Sequence, residues 1–255
     1  MPGWTSDVCI SNATVDATAT KSISVDSIQL AEGSSLLFGS GKVSIATSVT
    51  SQGFVTLYGT TLSAASISLP ALGEIDTYDN SSITSPEFSN PGTVSVGTGG
   101  TLQLADNPVQ LQNGILSGGN WRVAGVLIIP SDISQITTQG TVITVSSTSS
   151  VVRDASGSNA LARLTFVGSG AELSLSYGPS LTVEQGLTSQ GVVVANGSLT
   201  VNGTYTQETG ATTGMGGTLT ATLVSVQPSS TLHGVGGTVA SSIRNNGTVS
   251  EAGGA

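Results

Sequence analysis

Fifteen acidic residues, six basic residues and one histidine give this 255-residue chain a formal net charge of −9. The densest carboxylate group is Glu74, Asp76 and Asp79, with Glu87 one repeat further on. Hydrolysis of a polysaccharide needs two carboxyls facing each other across a bond, or carboxylates that hold a cation beside a basic group. A calcium ion needs several oxygens converging in one loop. Glu74 and Asp76 are two residues apart, so in a strand they share one face and flank Ile75. Asp79 falls at a corner, and no basic residue is close in sequence. This spacing describes a solvated acidic face, with a weak cation site as the sharper alternative.

The remaining reactive residues are isolated. His233 is the single histidine and sits in Leu232-His-Gly, which reads as a solvated corner. Cys9 has no cysteine or histidine near it, so no nucleophile pair forms. Gly168-Ser-Gly170 reads as a β-turn and not as a nucleophile elbow. Asn196, Asn202 and Asn246 precede glycine and read as turns more readily than as glycan acceptors. No catalytic set emerges, so the expectation is a protein that is not an enzyme and needs no cofactor. A second group lies in one stretch: Trp121, Arg122, Arg153, Asp154 and Arg163, with Asp132 among them. Three of the six basic residues fall there. That stretch is either a set of long corners or a surface for binding carbohydrate.

The elements that would carry these residues follow from composition and period. The chain holds 40 Ser, 34 Thr and 34 Gly, and only 8% of its residues are charged. Globular domains average about 25% charged. The apolar share of 37% is too high for simple disorder. Six basic residues do not make a nucleic-acid binder. No apolar run reaches the length of a membrane-spanning helix. Met1-Pro-Gly-Trp4 has neither the basic nor the apolar region of a signal peptide, so the chain reads as a piece of a longer protein. Low charge, one cysteine and abundant hydroxyls suggest a bacterial cell exterior.

A period of about twenty residues runs along the chain. Apolar anchors stand at Val43, Leu62, Ile83 and Leu102, and again at Leu164, Leu181, Leu199, Leu219 and Val239. Glycine recurs near the middle of each unit, and Thr50-Ser-Gln-Gly53 reappears as Thr188-Ser-Gln-Gly191. Inside a unit, phrases such as Thr93-Val-Ser-Val96 and Ser198-Leu-Thr-Val201 alternate hydroxyl and aliphatic, which is a strand signal. Ser158–Leu164 is the best helix candidate, and a short one. A unit this small cannot bury its apolar face alone, whereas stacked units can. The predicted fold is all-β, a right-handed parallel β-helix of about 20-residue rungs over residues 1–255. Residues 1–21 form its N-terminal edge or cap, 22–104 and 164–255 its regular rungs, and 105–163 irregular rungs with longer corners or a flap. An antiparallel sandwich is the rival, but it gives no reason for the twenty-residue phase.

The phrases Asn113-Gly-Ile-Leu-Ser-Gly-Gly-Asn-Trp121, Val152–Leu161, Leu199-Thr-Val-Asn-Gly-Thr-Tyr-Thr-Gln207 and Asn246-Gly-Thr-Val-Ser250 resemble the β-helical repeat regions of bacterial autotransporter-like, adhesin-type surface proteins. The resemblance implies a stalk, adhesin or matrix component and brings no catalytic motif with it. The expected function is a structural or adhesive segment of a secreted or surface-anchored protein. Its partners would be neighbouring solenoid segments or other copies of itself, with surface glycans as further candidates and no nucleic acid. The alternatives are a carbohydrate-binding or polysaccharide-cleaving β-helix using residues 105–163, and an ice or surface binder using outward threonines. The last needs Thr-x-Thr at one fixed rung position, and the sequence does not repeat it throughout.

Overall fold

The computed structural model of the chain describes residues 6–18 and 22–252. Among these, the regular secondary structure is entirely β. The strands stack as a parallel β-solenoid of about 12 turns, with rungs about 20 residues apart. No helix is present to cross a membrane among the described residues.

Each rung visits three faces in turn. The third face is one continuous parallel sheet of twelve strands, from Thr14–Ala17 to Thr248–Glu251. The first face begins at Ser22–Val25 and runs to Val151–Arg153. It resumes at Ser180–Val183, beyond a loop over 154–164. The second face begins at Asp7–Ile10 and ends with the last part of Thr238–Asn245. Five strands, Gly41–Ser51, Thr60–Ser68, Ser198–Gln207, Thr218–Val226 and Thr238–Asn245, turn from the first face to the second without ending. Their ladders shift register at the turn, as between Val201 and Thr204.

Alternation decides which side chains enter the core. On the third face Leu36, Val55, Ile75, Val94, Trp121, Ile143, Leu173 and Val193 form one inward column, each paired with the next. All of them are buried. Their outward neighbours are mostly Ser, Thr and charged residues. On the first face Val43 pairs with Leu62, and Leu181, Leu199, Leu219 and Val239 pair in succession. These are the anchors of the repeat.

Two anchors stand elsewhere. Ile83 pairs with Leu104, while Leu102 pairs with Ser81, which also points inward. Leu164 closes a turn by donating its N–H to the Leu161 carbonyl, 3.0 Å away. Residues 158–164 are accordingly turns and not a helix. The rungs are longest where Val94 precedes Trp121 and Ile143 precedes Leu173 on the third face. The extra residues form an antiparallel pair, Leu111–Gln112 with Ile115–Leu116, and the 154–164 loop. The widened core there is still filled. A gap of only about 10 Å³ lies among Leu116, Trp121, Ile133 and Ile143, about the smallest space that holds one water.

One polar pair crosses the core. The Tyr205 hydroxyl, on the second face, hydrogen-bonds to Thr213 Oγ1 on the third. Both residues are fully buried. Burial pushes the Tyr205 phenol up to about 12, against the weaker opposing pull of its bonds to Thr213 and Ser189. An unfolded tyrosine ionises near pH 10, so this group favours the folded state below that pH. Its contribution is lost as the pH rises from about 10 towards 12.

The glycines at the corner before the third face have a steric cause. A Cβ on Gly73 would stand 2.0 Å from the Ser51 carbonyl oxygen, and one on Gly191 would stand 2.3 Å from that of Gly168. Both glycines sit at the corner before the third face, where one rung's backbone rests on the next. Gly214, on an open part of the third face, has nothing within 4 Å of its Cβ position. Gly73→Ala is therefore expected to cost about 1–3 kcal/mol, as overpacking does. Gly214→Ala should stay within about 0.5 kcal/mol of the parent. Urea melts of the two variants check this, and equal effects would remove the steric account.

Candidate functional site

The third face brings together two groups that lie far apart in sequence. Thr56, Asp76, Ser95 and Arg122 form one outward column on four successive rungs. Phe54 pairs with Glu74 in the adjacent column, and Tyr58 pairs with Tyr78 beyond. Glu74 and Asp76 do point outward on either side of buried Ile75. Arg122 reaches back across two rungs, so that its Nη1 lies 4.0 Å from Glu74 Oε1. The acidic group therefore has a basic neighbour, which distance along the chain concealed. The arginine is the more solvated partner and the contact is long, so the pair adds little to stability.

Charge and burial oppose each other here. Burial, and then repulsion from Asp76, hold the Glu74 carboxyl above its usual range, while Arg122 pulls it down. The Asp76 carboxylate is also the main cause of the rise in the Tyr78 phenol. Tyr58 and Tyr78 stack with ring centroids 5.3 Å apart and planes 17° from parallel. A Cβ on Gly97 would meet the Tyr78 ring at 2.7 Å, so the missing side chain gives that ring its place. The rings face each other and the neighbouring backbone, which makes this an intramolecular ladder. Tyr58 and Tyr78 are one period apart in sequence, and that spacing is the signal that would have found the stack.

Glu74, Asp76 and Asp79, the alternative weak cation site, are not gathered into one ligand set. Asp79 occupies the turn between the third and first faces with φ of 58°. Among the described residues no three His, Cys, Asp or Glu side chains are placed to hold a metal ion. His233 is placed differently from expectation. It lies within the strand Thr231–Gly234, and its Nδ1 is 3.0 Å from Ser250 Oγ on the next rung.

The binding surface expected around Trp121 is dispersed. Trp121 points into the core with 3% exposure and tilts against Phe88, ring centroids 6.4 Å apart. Its Nε1–H donates to the Gly118 carbonyl at 3.1 Å. Arg122, the next residue in the strand, necessarily points out. Arg153 ends a first-face strand and makes an antiparallel bridge with Asn159. Asp154 Oδ1 accepts from Ser156 N–H, Ser156 Oγ and Ser158 N–H at 2.6–2.9 Å. These bonds, the Ser156 hydroxyl first, hold its carboxyl below the usual range and tie the 154–158 turn. Arg163 Nη1 lies 3.5 Å from Asp132 Oδ2. These five residues do not line one groove, because they belong to the core, the third face and the loop after the first face.

Hydroxyl columns do form on the first face. Ser180, Ser198, Thr218 and Thr238 align on four rungs, beside Thr182, Thr200 and Thr220. Ala240 ends the second column, and Arg153 stands in an earlier first-face strand. A second such column, Ser24, Ser44, Ser63 and Thr84, runs over four N-terminal rungs of the same face, so the hydroxyl columns are interrupted between the two ends.

The chain matches no known protein family, no curated protein and no solved structure.

The Glu74–Arg122 contact has a titration signature. In Arg122→Ala the Glu74 carboxyl should titrate at a still higher pH, because the charge that lowers it is gone. Carbon-detected NMR of the carboxyl reads this directly. A downward movement would show that Arg122 does not act on Glu74.

Proposed function

We propose that this chain is a structural segment of a secreted or surface-anchored bacterial protein, and that its end rungs stack on further solenoid rungs. The observation that carries this reading is the exposure of core-register residues at the last rung. Ile243 pairs inward with buried Val224, and Val249 with buried Leu232. Yet Ile243 and Val249 are 42% and 43% exposed. Val249 borders a hollow of about 290 Å³ that Met215, Leu232 and Val239 also line. The strand Thr248–Glu251 also ends its sheet, so one edge of its backbone lacks a strand partner among the described residues. Apolar residues in core register beside an unpaired edge are the surface that strand pairing covers.

The exterior placement rests on composition. A chain with 8% charged residues and 74 hydroxyl residues, 40 Ser plus 34 Thr, suits a repetitive rod. Twelve rungs at about 4.8 Å give such a rod a length of about 55 Å.

Electron microscopy over a concentration series tests the reading. The expected result is end-to-end rods that lengthen with concentration in steps of about 55 Å. Isolated single rods at every concentration would overturn it.

A further inference from the structure

We infer that the last rung of one copy docks on the first rung of another in a single register: Ser242 on Asp7, Ile243 on Val8, Arg244 on Cys9, and Val249 on Val15. This rests on the stacking proposed above and adds the partner and the contact residues. The register follows from extending the two ladders. At the start of the chain, Asp7–Ile10 pairs with Ser27–Leu30, and Thr14–Ala17 pairs with Ser35–Phe38. At the other end, 242–245 pairs with 223–226, and Thr248–Glu251 pairs with Thr231–Gly234.

The two ladders can be aligned by a shared corner. Ser51 Oγ donates to the Gly53 carbonyl and Ser189 Oγ to that of Gly191, so these serines hold equivalent positions. Ser51 pairs with Leu30, which pairs with Ile10. Ser189 pairs with Gln207, then Val226, then Asn245. Ile10 and Asn245 thus occupy the same position around the solenoid, which fixes the joint.

The side chains agree with that register. Inward Ile243 meets inward Val8, and Val249 meets Val15, itself 39% exposed. Asn245 joins a column that already holds inward Ser51, Ser189 and Gln207. Outward, Arg244 stands diagonal to Asp7, so the joint sets a basic residue of one copy near an acidic residue of the next. One position opposes docking: Glu251 follows Gly234 in an inward column and would face Ala17. Small neighbours on both sides give its chain room, while its charge disfavours burial.

Cys9, exposed on the second face, lies in the joint and supplies the probe. Arg244→Cys in a Cys9→Ser background is mixed with the unsubstituted chain and oxidised. Directly opposed residues lie within disulfide reach, so a peptide linking Cys9 to position 244 should dominate the mass spectrum. Ser242→Cys in the same background lies diagonal to Cys9 and should link at least about tenfold less, a 1.4 kcal/mol step. Glu251→Ala should lengthen the rods at a given concentration. Filaments without the expected crosslink, or with Ser242→Cys preferred, would overturn this register and leave stacking intact. Neither filaments nor crosslinks would overturn both.

Discussion

At about half of the rungs a glycine corner before the third face sets how closely one rung lies on the next. There the backbone carbonyl of one rung approaches the glycine of the following rung so closely that no Cβ fits, as at Gly53, Gly73, Gly92, Gly191 and Gly247. Parallel strands hydrogen-bond only when their backbones come within about 4.8 Å. The glycine lets the chain turn without lifting the rung from its neighbour. In other rungs Ser34, Thr141, Ala171, Ala211 and Ser230 hold the same corner, and the next rung's N–H still reaches its carbonyl. Inward aliphatics then touch along continuous columns, and twelve third-face strands form one sheet. A chain with only 4% aromatic residues builds its core mainly from branched aliphatic columns, each resting on the one before.

The same stacking explains how polar residues behave. Side chains on one face meet neighbours that lie about twenty residues away in sequence, a full rung apart. Tyr58 meets Tyr78 in this way, and Arg122 meets Glu74 across two rungs. Inside, a hydroxyl is tolerated where the opposite face offers a partner, as Thr213 offers one to Tyr205. Outside, hydroxyls align in ranks because the register holds over successive rungs. Only 8% of the residues are charged, so like charges seldom stack.

The sequence was legible where the period was regular. Leu181, Leu199, Leu219 and Val239 share a rung position, and the spacing alone placed them in register. It failed where a rung was lengthened, because an inserted loop moves every later residue out of phase. That is why Leu164 read as an anchor and why Arg122 was not associated with Glu74. Trp121 was misplaced for a different reason. An aromatic residue amid arginines suggests a binding surface, yet strand parity already put Trp121 and Arg122 on opposite sides. Glycine, by contrast, was readable as a corner but not as a contact. Which carbonyl lies against Gly73 is known only once the rungs are stacked.

The central claim is that distance along this molecule is counted in rungs. Spin labels at third-face outward positions measure it directly, in a chain carrying Cys9→Ser. Thr56 is four rungs from Thr144, six from Val194 and nine from Ser250 along one paired column. Pulsed electron resonance should give separations of about 19, 29 and 43 Å, one strand spacing per rung. Separations that do not grow in proportion to rung number, with Val194 or Ser250 as near to Thr56 as Thr144 is, would contradict the solenoid.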